Sequence, residues 1–393
     1  MPRFPVYFEQ RTAESFPPLV SVIIPAFNAE RFLAETLRAV LAQTYRELEV
    51  LVVDDGSKDN TVAIAESFAQ RDSRVRVLRQ RNSGVAVARN LAISQSRGEF
   101  IAPVDADDIW YPHKIEKQVK CFLESRTPLG LVYGWSTAIS ETSRLLGSCA
   151  NWKIEGHVYP ALILRNFIGN ASVPLFRRSV LEEIGGYDCN LHAQNAQGCE
   201  DWDITLRVAE RYAFGLVPEF LVGYRQIRGS MSANVSVMGK SYDLIVEDIK
   251  TRHPEIPDDL LRWSQSYFYL YLMSKAYLSS NVRGALPWLS RAMRCDKTLL
   301  LAPVVYRVYL MSSLRLLAEP LTTRLWPQRE EWLDFRSMLT FQRKRIKTLP
   351  QLMRKANQPH WCWKPYDILA QHRMNTVLNA APANRTVAAE MAH

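Results

Sequence analysis

The sequence predicts an α/β fold with a Rossmann-like, mostly parallel central sheet flanked by helices, followed by an all-helical C-terminal region. Three observations carry this expectation. Through the first 110 residues, short β-branched runs alternate with helical stretches of about 10 to 15 residues, the pattern of βαβ units. Polar clusters follow three of those runs, and open α/β sheets bind ligands at the carboxyl ends of their strands. From residue 240 onward nearly every segment reads as helix.

Residues 1–18 are a loose lead-in that ends at Pro17-Pro18. VSVIIPAFN (20–28) is a buried strand stopped by Pro25. Residues 30–43 place Phe32, Leu33, Leu37, Val40 and Leu41 on one helical face. LEVLVVDD (48–55) is the second strand, and a helix runs from Asp59 to Gln70. RVRVLR (74–79) is the third strand, 84–96 a helix, and EFIAPVDADD (99–108) a fourth strand ending in acids. Residues 126–235 are mixed, with strands in LGLVYGWS, ASVPLFRR and AFGLVPEFLVGYR and a helix at 200–212. Beyond them, 261–280 and 283–295 form a helical hairpin turned at Ser279-Ser280-Asn281. The expected domains are 19–238, with halves 19–125 and 126–238, then a helical region 239–374 and a flexible tail 375–393.

Composition narrows the class. With 393 residues and 47% hydrophobic content the chain can bury a sizeable core, which excludes a disordered or collagen-like protein. No run of about 18 uncharged apolar residues is present, so no spanning helix is expected. MPRFPVYFEQRTAES lacks the apolar stretch of a secretory leader. The six cysteines form no CxxC and no zinc spacing, which favours reduced thiols in a cytoplasmic protein. Charge is uneven: residues 261–393 hold 20 Lys+Arg against 7 Asp+Glu, and residues 1–260 hold 29 against 33. An acidic front and a basic rear imply an active region with a docking region.

The chemistry-bearing clusters each have a local alternative. Asp105 and Asp107 of DADD can share one hard cation such as Mg²⁺ or Mn²⁺, while Asp107 or Asp108 can equally cap a helix over 114–124. Asp54-Asp55-Gly56-Ser57 suits a strand-to-helix turn, and an Asp there can also accept from a nucleobase or ribose. In Asn82–Asn90 a helix start can attract phosphate, with Arg89 pairing to it or to a core acid. Glu200-Asp201-Trp202-Asp203 opens a helix, either as simple capping acids or with Asp201 as a general base beside an apolar wall from Trp202.

These segments together resemble family 2 glycosyltransferases of the GT-A fold. They run in order: SVIIPAFN, QTYxxLEVxVVDDGSxD, NSGVAxARN, GEFIAxxDADD, FRRSxxxxIGGYD and CEDWD. The resemblance covers about residues 20–235. It implies an inverting transfer of sugar from a nucleotide donor, most often a UDP-sugar, to an acceptor hydroxyl. The resemblance is to bacterial-type enzymes that build polysaccharide or glycolipid for the cell envelope, on the cytoplasmic side of the membrane. By position, Pro25, Ala26 and Phe27 line the nucleotide pocket, with Asp55 on the base and Asp54 supporting it. Arg89 lies near the diphosphate or braces the acids. Asp105 and Asp107 match the DxD that holds Mn²⁺ or Mg²⁺, and Asp201 matches the base. Glu200, Trp202, Tyr224 and Arg228 are acceptor or diphosphate candidates, and Tyr133 and Trp135 are aromatics that either stack on sugar or belong to the core. One departure stands out: Ile227 occupies the position where the family often has a His that reaches the metal or diphosphate. The rival reading is a non-catalytic nucleotide-sugar-binding or scaffold protein on the same fold.

In the basic rear, Leu300, Leu301, Val304, Val305, Val308, Leu310, Met311, Leu314 and Leu317 surround Pro303, with Arg307 and Arg315 between them. This suits a helix packed on the catalytic domain, or an interfacial helix on an anionic membrane helped by the Arg343–Lys347 cluster. No nucleic-acid-binding motif accompanies the charge, so no nucleic-acid partner is expected.

Overall fold

The structure is a computed structural model that describes residues 17–227, 234–279, 281–325, 348–356 and 365–380. Arg228, Ser280, Cys362, the Arg343–Lys347 cluster and most of the expected lead-in lie outside the described residues. The chain divides into two compact units. The described part of the first comprises residues 17–158, 167–192 and 200–226, and that of the second 159–166, 193–199 and the residues from 227 onward.

In chain order the elements are β1 (Val20–Ala26), α1 (Leu33–Leu41), β2 (Leu48–Asp54), α2 (Thr61–Ala69), β3 (Val75–Arg79), α3 (Val85–Gln95), β4 (Phe100–Pro103), β5 (Ile109–Trp110), α4 (Lys114–Glu124), β6 (Leu129–Ile139) and β7 (Leu145–Ala150). There follow α5 (Tyr159–Leu164), β8 (Leu175–Arg177), α6 (Arg178–Glu183), α7 (Asn190–Ala193), α8 (Glu200–Ala209), β9 (Ala213–Arg225), α9 (Val235–Arg252), α10 (Asp258–Leu278), α11 (Val282–Cys295), a 3₁₀ turn (Lys297–Leu301), α12 (Pro303–Leu325), α13 (Leu349–Ala356) and α14 (Pro365–Ala380).

The first unit is built on one mixed sheet, ordered β3-β2-β1-β4-β8-β6-β9-β5, with β7 added on β6. Its β3-β2-β1-β4 half is parallel: Val20 pairs with Leu48 on one side and with Phe100 on the other. These strands are near-continuous Val, Ile and Leu runs because helices cover both faces of a parallel sheet. The chain passes from β1 to β2 on one side and reaches β4 on the other, so the strand order reverses at β1. That is where ligands enter doubly wound sheets. Beyond β4 the ladder is mixed, with β8 antiparallel to both neighbours and β6 parallel to β9.

The α/β expectation holds, with three differences of detail. The fourth strand ends at Pro103, because a turn closed by Asp108 N donating to Asp105 O takes over the acid segment. After that turn the two-residue β5 pairs antiparallel with β9. Helix α4 starts at Lys114, so neither Asp107 nor Asp108 caps it. On α1 the buried face is Leu33, Thr36, Leu37 and Val40, and Thr36 takes a core position that the apolar pattern assigned to Leu41.

The second unit is helical. α10 and α11 form the expected hairpin, and the Asn281 side chain accepts from Gly284 N at 3.0 Å to start α11. The Tyr242 ring stacks on Phe268 at 4.0 Å, and Trp288 fills the space that a Cβ on Gly239 would need. α14 is fastened by a buried ion pair, Arg373 Nη1 to Asp296 Oδ2 at 2.6 Å, with the guanidinium 4.4 Å from the Trp263 ring centre.

Candidate active site

Three loops at the carboxyl rim of the parallel half are tied together by side chains. Asn28 N donates to Ser57 Oγ at 2.9 Å, and Lys58 N donates to Asn28 Oδ1 at 2.9 Å, which joins the loops after β1 and β2. Asp55 joins β2 to the loop before α3: its carboxylate accepts from Gln80 Nε2 at 2.7 Å, Ser83 N at 2.8 Å and Gly84 N at 2.9 Å. Gly84 is required there, since its φ is +91° and an added Cβ would lie 2.4 Å from the His192 ring. Asp54 is also buried and accepts from Ser57 N, a local turn bond. Along the same rim Ala26 is buried, Pro25 half-buried, and the Phe27 ring 49% exposed, leaving one aromatic face open to a ligand.

The acid loop is held by residues from three distant segments. Thr36 Oγ1 on α1 lies 3.0 Å from Ala106 O and 2.9 Å from Asp108 O, so its one proton can serve either carbonyl. Ser172 Oγ accepts from Asp105 N at 3.0 Å and donates to Asp108 Oδ2 at 2.5 Å. Arg225, at the end of β9, donates its backbone N–H to Asp108 Oδ1 at 2.9 Å and its Nε to Asp107 O at 2.6 Å. Its remaining donors reach Ser140 O, Glu141 O, Ser143 Oγ and Glu35 Oε2. Asp108 is thereby a structural acid, buried and fully engaged. Burial, then Asp107 and Asp105, push its carboxyl well above the usual range against the bonds from Ser172 and Arg225.

Asp105 and Asp107 are half-buried. Asp105 Oδ1 accepts from Arg89 Nη2 at 2.6 Å. Burial and the neighbouring Asp105 charge push the Asp107 carboxyl up to about 7. Two crowded carboxyls of this kind suit a hard divalent cation, which would relieve their repulsion. Among the described residues no three His, Cys, Asp or Glu side chains gather into a metal cage. A cation held by two carboxylates would therefore complete its shell with water and substrate oxygens, as Mg²⁺ commonly does.

Arg89 is the centre of the constellation. It is buried on α3, and its field extends to Asp105, Tyr187, Asp201 and Glu200. Burial alone would lower its pKa, and those four groups together outweigh burial and raise it. Its guanidinium lies 5.1 Å from the Tyr187 ring centre, and its Nε is buried with no hydrogen-bond partner. Tyr187 is positioned by Asn90, whose amide both donates to Tyr187 O and accepts from Tyr187 N, each at 2.8 Å. Asp201 stands in the first turn of α8 and accepts its neighbour Trp202 N at 2.8 Å. Burial raises its carboxyl to about 7 despite Arg89, with Glu200 and Asp105 adding to the rise. Asp203, two residues on, is committed to Arg207 at 2.7 Å, so the acids of this helix start have separate partners.

The expected residues therefore divide. Arg89, Asp105, Glu200 and Asp201 share one electrostatic field, and Asp107 adjoins it. Asp54 and Asp55 fix the neighbouring loops. Trp202, Tyr133 and Trp135 are buried, the latter two bonded to Ile154 O and Trp152 O, so they belong to the core. Tyr224 is half-buried on β9 beside Arg225. Ser172, Arg225, Thr36 and Tyr187 were not singled out in the sequence. Tyr187 does lie inside the IGGYD segment quoted for the resemblance, whereas Arg225 merely ends a strand run and Ser172 sits in an ordinary apolar run.

Residues 21–185 match the family model described as glycosyl transferase family 2. This part of the chain is a family 2 glycosyltransferase domain. It is 31% identical over 198 residues to an uncharacterized glycosyltransferase of Rickettsia felis, covering 50% of this chain and 31% of that protein. TuaG of Bacillus subtilis, named for teichuronic acid biosynthesis, is 29% identical over 239 residues, covering 60% of this chain and 90% of that protein. The chain spans about a third of the length of the first curated relatives it matches. Among solved structures, Staphylococcus aureus TarS 1–349 in complex with UDP-GlcNAc superposes with a TM-score of 0.54 at 16% identity, covering 75% of this chain and 88% of that one. The fold is GT-A, with a helical C-terminal region appended.

Proposed function

We propose that the chain is an inverting transferase that moves a sugar from a nucleoside-diphosphate donor, a UDP-sugar, to an acceptor hydroxyl of a cell-envelope polysaccharide or glycolipid. The observation that carries this is the meeting of Arg89, Asp105 and Asp201, from three separate segments, in one field beside Asp107. The UDP-GlcNAc complex of TarS and the name of TuaG support the donor class and the envelope setting.

In this reading Phe27, Ala26 and Pro25 receive the base, and the Asp55 carboxylate offers it the acceptor capacity left after its three bonds. Asp105 and Asp107 would hold Mn²⁺ or Mg²⁺, which supplies charge neutralisation to a bound diphosphate. Arg89, with one unpartnered donor, adds positive charge on the same side. Asp201 takes the proton of the acceptor hydroxyl as that oxygen bonds to the anomeric carbon. The bond to the departing diphosphate breaks on the opposite face, and its electron pair leaves with the nucleotide, which gives inversion. A carboxyl near 7 suits this task, because a general base works best when its pKa is close to the working pH. Glu200, Tyr224 and Arg228 are the remaining groups for acceptor or diphosphate. The reaction belongs on the cytoplasmic side of the membrane, where nucleotide sugars are the donors. No described helix is long and apolar enough to cross a membrane.

Asp201→Asn is the test. Release of UDP from UDP-N-acetylglucosamine or UDP-glucose should fall roughly 10²–10⁴-fold while donor binding persists. The unmodified chain should lose rate below about pH 7, as Asp201 gains its proton. Unchanged turnover by the variant would remove Asp201 from the role. Ile227 favours one rival, a nucleotide-sugar-binding protein without turnover, which would show donor binding and no UDP release in either form.

A further inference from the structure

The second unit carries an apolar ridge that its own packing does not use. Helix α12 buries Val305, Val308 and Ser312 on one face. On the opposite face Tyr306, Leu310, Leu314 and Leu317 recur at i, i+4, i+8 and i+11, exposed by 59, 62, 51 and 76%. Leu300 and Leu301 of the preceding 3₁₀ turn extend the ridge at 53 and 67% exposure, and the Tyr306 hydroxyl joins them by donating to Leu300 O at 2.7 Å. At 1.5 Å per residue the helical part alone is about 16 Å long. A continuous exposed apolar strip of this kind marks a binding surface.

Its surroundings are basic. Residues 297–318 include Lys297, Arg307 and Arg315 and no acid, within a C-terminal third that holds 20 Lys+Arg against 7 Asp+Glu. Lys297 and Arg307 are exposed beside the ridge. Two features disfavour a second copy of the chain as occupant. Pairing the ridge with itself would oppose like charges, and six side chains fall well short of the 20–30 residues a side of a stable interface. Apolar side chains, a tyrosine and bases without acids match an anionic lipid surface, into which the leucines insert while the bases meet headgroup charge.

We infer that the Leu300–Leu317 ridge is a monotopic membrane-docking surface selective for anionic lipid. This deepens the partner side of the transferase reading by naming the residues that would meet the membrane. Vesicle binding is scored without donor or turnover, so either reading can fail while the other stands.

The test is co-sedimentation of the full chain with phosphatidylcholine vesicles, with and without about one third phosphatidylglycerol, at low and high salt. Binding should require the anionic lipid and weaken as salt rises. Leu310→Ser with Leu314→Ser should lower the partition coefficient about tenfold or more. Arg307→Gln should lower it about fivefold. Leu123→Ser, at an equally exposed leucine of α4, should leave it unchanged. A fluorophore on Leu310→Cys should shift to shorter wavelength with anionic vesicles, a readout that holds if the double variant folds poorly. Absence of binding, binding untouched by the ridge variants, or no spectral shift would overturn the inference. So would a concentration-dependent dimer that the double variant abolishes, since the occupant would then be a second copy.

Discussion

Ser172→Ala removes one oxygen and tests how the acid loop is held. The hydroxyl is buried, accepts from Asp105 N and donates to Asp108 Oδ2. Its loss leaves a buried amide without this acceptor, at a cost of about 1–3 kcal/mol, and takes from Asp108 a buried hydrogen bond worth about 0.5–1.5 kcal/mol. Relaxation offsets part of that, so the expected loss of stability is about 2 kcal/mol. Asp108 keeps the bond from Arg225 N, but the loop is freed at its Asp105 end, where cation and diphosphate would bind. The assay is urea denaturation paired with calorimetric titration of UDP in the presence of Mn²⁺. A double-mutant cycle with Asp108→Asn should give a coupling of about 1 kcal/mol or more, as residues sharing one hydrogen-bond network do. Ser94→Ala, which removes an exposed local bond to Leu91 O, is the control and should change stability by less than about 0.5 kcal/mol. If Ser172→Ala behaves like that control and keeps its UDP affinity, the loop is not braced as described.

Two further outcomes follow from the same geometry. Folded Asp107 titrates at about 7 against 3.8 for an ordinary aspartate, so between those values the folded chain holds a proton that the unfolded chain releases. Stability therefore falls as pH rises through that window, and without metal Asp107→Asn should gain about 1–2 kcal/mol over the parent at pH 8 and little near pH 4, allowing for solvent screening. An equal gain at both pH values would contradict this. Arg225→Lys replaces a planar fork with a point charge among acceptors from three segments, so it should lose about 2–3 kcal/mol and at least about tenfold in Mn²⁺-dependent UDP affinity. Parent-like behaviour would show that the Asp107 carbonyl needs no anchor.

The legible part of the molecule was the part whose information is local. β1, β2 and β4 are apolar runs, and a rim cluster follows each directly, so the carboxyl-edge location of Asp55 and Asp105 could be read in order. The α10–α11 hairpin was legible for the same reason, through its helical periodicity and the polar turn between the helices. What stayed hidden depends on long-range pairing. Ser172 braces the acid loop 64 residues from Asp108, and Arg225 does so from 117 residues away; nothing in their own neighbourhoods marks them. The parallel pairing of β6 with β9 is likewise a tertiary choice. In the acid segment Val104 and Ala106 alternate with acids as a strand would, whereas the Asp105–Asp108 turn ends the ladder after Pro103. The aromatics followed burial: Tyr133 and Trp135 satisfy their polar tips on backbone carbonyls, which leaves them in the core.

The proposed function requires nucleoside-diphosphate binding at the Asp55–Asp105–Asp107 rim. Calorimetric titration of the full chain with UDP, GDP and CDP, each with and without Mn²⁺, tests it most directly. UDP should bind best, Mn²⁺ should strengthen that binding, and Asp107→Asn should remove the Mn²⁺ effect while leaving the chain folded. A folded chain that binds none of the three nucleotides, with or without metal, would contradict it.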